Sequence, residues 1–193
     1  MIDLVEAPTF ESFPKIPRLL RDITITEKID GTNGQILITE YGDLFAGSRN
    51  RLLSEGSDNF GFHHWVMGHR EELLKLGPGR HFGEWWGSGI QRGYGLTKGE
   101  RRFSLFNTKR WCFDDQDPSS WPPGCCYVVP ILYVGPFDTN AVQRCMQDLN
   151  DFGSFARPDF MSPEGIMIYH HGLGGYFKHP FDPNPKTSTE QRK

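Results

Sequence analysis

Ile23-Thr24-Ile25-Thr26 alternates apolar and polar positions with a period of two, the pattern of a half-buried strand. Lys28 stands at its end, Gly31 permits a tight turn, and Gln35 to Thr39 reads as the returning strand of a hairpin. A second hairpin is predicted from Gly34 to Tyr41, turning at Gly42-Asp43 and returning as Leu44 to Arg49. Helical periodicity occurs in two places. Residues 58–76 carry a ragged stripe of Phe62, Trp65, Val66, Leu73 and Leu76, ended by Gly77-Pro78-Gly79. Asp138-Thr139 offers an N-cap to a cleaner helix, with Ala141, Val142, Cys145, Met146 and Leu149 on one face and Gly153 closing it. Between the helices, residues 81–87 and 101–111 read as strands separated by a polar, basic loop. Tyr127 to Val134 is a nearly continuous apolar run, predicting one buried strand, and residues 164–170 and 175–179 predict a last hairpin.

With 193 residues the chain can bury a full core. Frequent aromatics, Gly and Pro, with little helical periodicity, place it among strand-rich α+β domains. A net charge of −3 excludes a cation-coated nucleic-acid binder, so any such contact is a local patch. Arg92, Lys98, Arg101, Arg102, Lys109 and Arg110, interleaved with Tyr94, Phe103 and Trp111, form either that patch or a solvated hairpin face. The first ten residues lack a basic start and apolar core, and no stretch reaches transmembrane length, so an intracellular protein without membrane contact is expected. Cys112, Cys125, Cys126 and Cys145 form no C-x-x-C pair, and His63, His64 and His69 lack partners at metal-binding spacing. Pro8, Pro14 and Pro17 keep residues 1–22 irregular. Phe13 to Leu19 is expected either to cross the sheet near the Lys28 turn or to lie as a surface strap. One domain over residues 1–180 is expected, then a mobile polar tail over 181–193 with no accessory domain after it.

Three residues suggest chemistry. A lysine at a strand end faces any cleft the sheets enclose, and its amine is a nucleophile once deprotonated; the alternative for Lys28 is a surface lysine beside a turn. Glu84, followed by two tryptophans, would be an expensive buried carboxylate without a task. Lys178 sits on an aromatic strand where a cation has no packing reason to be. These residues fall within six ordered segments: Glu27 to Asn33, Ser48-Arg49, Gly83 to Gly87, Phe103 to Asn107, Glu164 to Ile168, and Tyr176-Phe177-Lys178. Each is weak alone, but their order is specific. Together they resemble the motifs of the covalent nucleotidyltransferase superfamily, and most nearly the ATP-dependent RNA ligases of the phage and RNA-editing type. Thr32-Asn33 is the pair that separates those RNA ligases from most DNA ligases.

The resemblance implies an ATP-grasp-like domain of antiparallel sheets flanked by helices, with ATP and Mg²⁺ (or Mn²⁺) in the cleft between them. It implies Lys28 as the nucleophile that becomes lysyl-AMP, Glu164 as metal ligand, and Lys178 as a cation on the phosphates. Asp30, Gly31 and Asn33 belong to the nucleotide-binding turn, and Arg49 and Glu84 would hold the ribose hydroxyls. Phe106, with Phe103 second, would stack on adenine, and Glu27 would accept from the adenine amino group. The implied substrates are RNA ends, best held in a nicked or bridged duplex or by a partner protein. The chain departs from the pattern twice: its fifth segment has one lysine instead of two, and Asn107 stands where Asp is usual.

Overall fold

The computed structural model describes residues 9–182; the first eight residues and the expected tail from residue 183 onward lie outside that range. Among the described residues nine strands form two sheets. One holds β1 (Asp22–Lys28), β7 (Ile131–Pro136), β8 (Gly165–His170) and β9 (Gly175–Pro180) in the order β7-β1-β8-β9. The other holds β2 (Thr32–Ile38), β3 (Leu44–Gly47), β4 (Gly79–Gly87), β5 (Arg101–Leu105) and β6 (Cys126–Val128) in the order β3-β2-β4-β5-β6. With α1 (Phe62–Gly68), α2 (Arg70–Leu73) and α3 (Thr139–Phe152), this is an α+β fold of two sheets flanked by helices. All pairings are antiparallel except β5 with β6, where Phe103 lies beside Cys126 in parallel.

β1 and β2 are not the hairpin the sequence suggests. β1 is interior to its sheet, between β7 and β8, whereas β2 lies between β3 and β4 in the other. Gly31 is where the chain changes sheets, pressed so close to β4 that a Cβ there would meet Trp85 O at 2.5 Å and Trp86 Cβ at 2.8 Å. The apolar run 127–134 is likewise two strands, because Pro130 has no N–H to continue a ladder. Its carbonyl accepts from Glu27 N at 2.9 Å, so this return crossing runs beside the end of β1. Ile29 of the first crossing and Val129 of the second share one buried cluster with Trp86, Tyr94 and Leu96.

The stripe over 58–76 breaks into α1, α2 and a final 3₁₀ turn. The Asp58 carboxylate accepts from the N–H groups of Asn59, His63 and His64, which starts α1, and the His69 ring meets Trp65 O where the two helices part. α3 forms as expected, with Asp138 accepting from Asn140 N at 2.9 Å. α1 and α2 cover one face of the second sheet, burying Phe62, Val66 and Leu73 against Ile36, Trp85 and Phe103. α3 covers one face of the first sheet, burying Cys145 and Leu149 against Ile23, Ile25, Ile166 and Ile168. The lead-in does not approach the Lys28 turn: Phe13 and Ile16 are exposed, and Leu19 O bonds the His170 ring at the opposite end of β1. Among the described residues no helix is long and apolar enough to cross a membrane.

Candidate active site

Alternation along β1 decides what each residue can reach. Ile23, Ile25 and Glu27 are buried toward α3, while Thr24, Thr26 and Lys28 point to the other face. Lys28, the last residue of β1, lies opposite Gly165 of β8, so Glu164 is beside it and its Oε2 accepts from Lys28 Nζ at 2.5 Å. Lys178 belongs to the same face, because Thr26, Met167 and Lys178 are paired across β1, β8 and β9. It is exposed on the edge strand.

The second sheet supplies the opposing wall. Asn33 and Glu84 are paired across β2 and β4, on the face away from α1. Glu84 accepts from Gly31 N at 3.0 Å and from Asn33 Nδ2 at 3.1 Å. Those donors, and the nearby Lys28 ammonium, favour the ionised form. Burial outweighs them, Glu164 adds repulsion, and the Glu84 carboxyl is pushed up to about 7. Phe103 and Phe106 separate cleanly. Phe103 is fully buried among Phe62, Trp65 and Trp85, and Phe106 is half-buried beside the cluster of Ile29 and Trp86 that lines the crossing.

The Glu27 carboxylate does not face this cleft, contrary to its expected contact with adenine. It is buried behind β1, where it accepts from Ser154 Oγ at 2.6 Å and from the N–H groups of Phe155 and Ala156 at 2.8 and 2.9 Å. With these three donors it ties the loop after α3 to the strand that carries Lys28. The neighbouring Asp30 is held from both ends: Tyr94 OH accepts from its N–H at 2.9 Å, and its carboxylate pairs with Arg92 at 3.0 Å. Tyr94 is buried against Trp86 and stacked on Phe160 at 4.4 Å, with its hydroxyl pKa raised by burial. Arg49 stands exposed beyond β3 and makes no hydrogen bond to a described residue.

The basic stripe is largely spent inside the protein. Arg92 holds Asp30 and Ser162 O, Arg101 holds Ser88 O and Phe60 O, Arg102 holds Glu100 and lies over Trp86, and Arg110 holds Ser119 O. A divalent cation fits Glu164. Among the described residues Oε1 of this carboxylate is unclaimed, and no group of three metal-binding side chains gathers anywhere. Mg²⁺ commonly takes one or two protein carboxylates and completes its shell with water and phosphate oxygens.

The family model for RNA ligases matches residues 21–178, spanning every segment from the Lys28 strand to Lys178. The chain belongs to the RNA ligase family. Among solved structures, an apo mutant form of Naegleria gruberi RNA ligase aligns with TM-score 0.59 and 21% identity, covering 90% of this chain and 57% of that one. A mutant form of the same ligase with AMP and Mn aligns with TM-score 0.60 and 21% identity over the same shares. A further mutant form, with ATP and Mn, aligns with TM-score 0.59 and 20% identity, covering 81% of this chain and 48% of that one. At this identity the likeness shows a shared fold, and the chain spans about half the length of those it matches. No curated protein gives a significant sequence match.

Within this RNA ligase domain two positioning groups escaped the sequence. Tyr94 sits in the polar loop at φ 50°, a left-handed conformation that nothing local announces. Ser154 follows the α3 terminus as an ordinary loop serine. The turn of Glu27 away from the cleft, by contrast, was readable, since neighbours in a strand point to opposite faces.

Proposed function

We propose that this domain is an ATP-dependent RNA ligase that joins a 5′-phosphate to a 3′-OH through lysyl-AMP, with ATP as a substrate. The observation that carries this reading is the Lys28–Glu164 pair at the junction of two sheets in a chain of the RNA ligase family. Lys28 Nζ attacks the α-phosphate of ATP, so a P–N bond forms, pyrophosphate leaves and the amine loses a proton. AMP then passes to the RNA 5′-phosphate, restoring Lys28, and the 3′-OH displaces AMP to make the phosphodiester. Attack needs the Nζ lone pair, so the pair with Glu164 parts as the nucleotide enters. A divalent cation at Glu164, when bound, supplies positive charge to the phosphate oxygens. Lys178 adds a second cation from the same face, and such electrostatic contacts dominate phosphoryl transfer.

Asn33, Asp30 and Gly31 shape the turn under the nucleotide, Glu84 and Arg49 hold the ribose, and Phe106 stacks on the base. Adenine selection is assigned to the backbone and packing around Ile29, because the Glu27 side chain is engaged elsewhere. With few uncommitted cations, the domain favours ends that a nicked or bridged duplex, or a partner protein, already holds together.

The test is covalent labelling. Protein incubated with α-labelled ATP and Mg²⁺ becomes labelled through a bond that survives alkali and breaks in acid, as a phosphoramidate does. Lys28→Ala abolishes the label, and a cooperative thermal transition shows that the variant remains folded, with a lowered midpoint because Glu164 loses its partner. A Lys28→Ala protein that still labels would move the nucleophile to another residue.

A further inference from the structure

The face of the first sheet that carries Lys28 continues well past it. α3 packs on the opposite face, so this one turns its side chains outward. Two residues from Lys28 along β1 lies the row of Thr26, Met167 and Lys178, and two further on the row of Val134, Thr24, Tyr169 and Tyr176. Tyr176 and Val134 are each 62% exposed and Tyr169 is half-buried. The rings are in contact. Tyr169 lies 4.7 Å from Tyr176 and 5.0 Å from the His171 ring, which Thr24 Oγ1 meets at 3.0 Å. The tyrosine row is four residues from Lys28, about 13 Å at the usual strand rise.

We infer that Tyr169 and Tyr176 form a stacking platform for unpaired bases of the RNA strand whose 5′-phosphate reacts at Lys28, used by ends that no duplex holds. The inference rests on the ligase reading and extends it along the strand. Three features favour this occupant. The platform is continuous with the face of the nucleophile. Lys178 lies between platform and nucleophile, where a backbone phosphate passes. Threonines and a lysine flank the rings, a mixed surface suited to a sugar–phosphate chain and not to dry apolar docking. Every base presents a π face, so such a platform holds a strand without reading its sequence. The other wall offers no comparable path, since Glu84, Trp86 and Ser104 are buried there.

The experiment uses a short, 5′-phosphorylated, single-stranded RNA with a fluorophore at its 3′ end, titrated with wild-type protein, Tyr176→Leu, Tyr169→Leu and the two Phe variants. Thermal midpoints establish that each variant is folded. Each Leu variant is expected to weaken binding by about 10-fold, the scale of one lost stacking contact, and each Phe variant to remain within about 2-fold of wild type. In single-turnover AMP transfer to the same RNA, the Leu variants need more RNA to reach half-maximal rate. Unchanged affinity in folded Leu variants would overturn the platform. So would a wild type that self-associates through this face while the Leu variants are monomeric. If the wild type takes no label from ATP yet shows the binding differences, the ligase reading fails and the platform stands.

Discussion

Glu84 and Glu27 are both buried carboxyls beside the nucleophile strand, and their partners divide their tasks. Glu27 receives three donors behind β1 and holds Lys28 in place, whereas Glu84 receives two and is aimed at the cleft. Glu84 titrates at about 7 in the fold against 4.5 unfolded, so the native protein binds more protons between those values. Its contribution to stability is therefore full below about pH 4.5 and is lost as pH rises through 7. The swing is of order 3 kcal/mol. Urea midpoints measured from pH 4.5 to 8 should fall less with pH in Glu84→Gln than in wild type; equal slopes would show that Glu84 ionises normally. Lys28, Glu84 and Lys178 stood out by residue type and Glu164 through the resemblance, and the fold brings Lys28, Glu84 and Glu164 together with Lys178 on the same sheet face as Lys28. The direction of Glu27 was obscured by assigning it a role from resemblance, although the strand period turns it away from Lys28.

At the scale of elements, the crossing at Ile29-Asp30-Gly31 depends on closeness to β4. An alanine Cβ at position 31 would press on the Trp85 carbonyl and Trp86 Cβ, neither of which can swing aside. Gly31→Ala should lower stability by about 1–3 kcal/mol, the usual cost of overpacking, and should reduce lysyl-AMP formation because the Glu84 bond to Gly31 N shifts with the chain. Urea unfolding and ATP labelling measure the two effects, and an unperturbed variant would mean that the crossing has slack. This crossing also marks where reading the sequence stopped. Local period and glycine placement identified β1, β2 and the later hairpins, but a strand's partner is a non-local choice. Strand, glycine and strand therefore read as a hairpin, when each strand had better neighbours elsewhere. The run 127–134 failed for the same reason, with Pro130 the overlooked signal.

For the whole molecule, charge is the governing quantity. The net charge is −3, and the arginines of the 92–110 stripe are committed to internal partners, so the cations that the proposed reading sets against phosphates are Arg49, Lys98, Lys109 and Lys178. Each phosphate neutralised on a single strand contributes a slope of about 0.7, so log affinity against log salt should have a magnitude of about 3 or less. A salt series on single-stranded RNA binding measures it, and a much steeper slope would bring further cations into the contact, Lys15, Arg18 and Arg21 among them. Composition gave the sign of this argument but not its size, because the internal commitments of Arg92, Arg101, Arg102 and Arg110 appear only when the chain is folded.

The chain passes between its two sheets twice, and both passages run along one line, with Ile29 packed near Val129 and Glu27 N bonded to Pro130 O. Two plates joined along a single seam behave like the covers of a book. Opening or closing them changes the width of the mouth while the spine stays still. Lys28 lies on that spine, so its amine would be a fixed station in such a movement, and Lys178 and Arg49, out on the covers, would be the groups that travel. In the proposed reaction, loading a nucleotide and admitting an RNA end would be two settings of one angle, with Lys28 keeping its place through the three transfers.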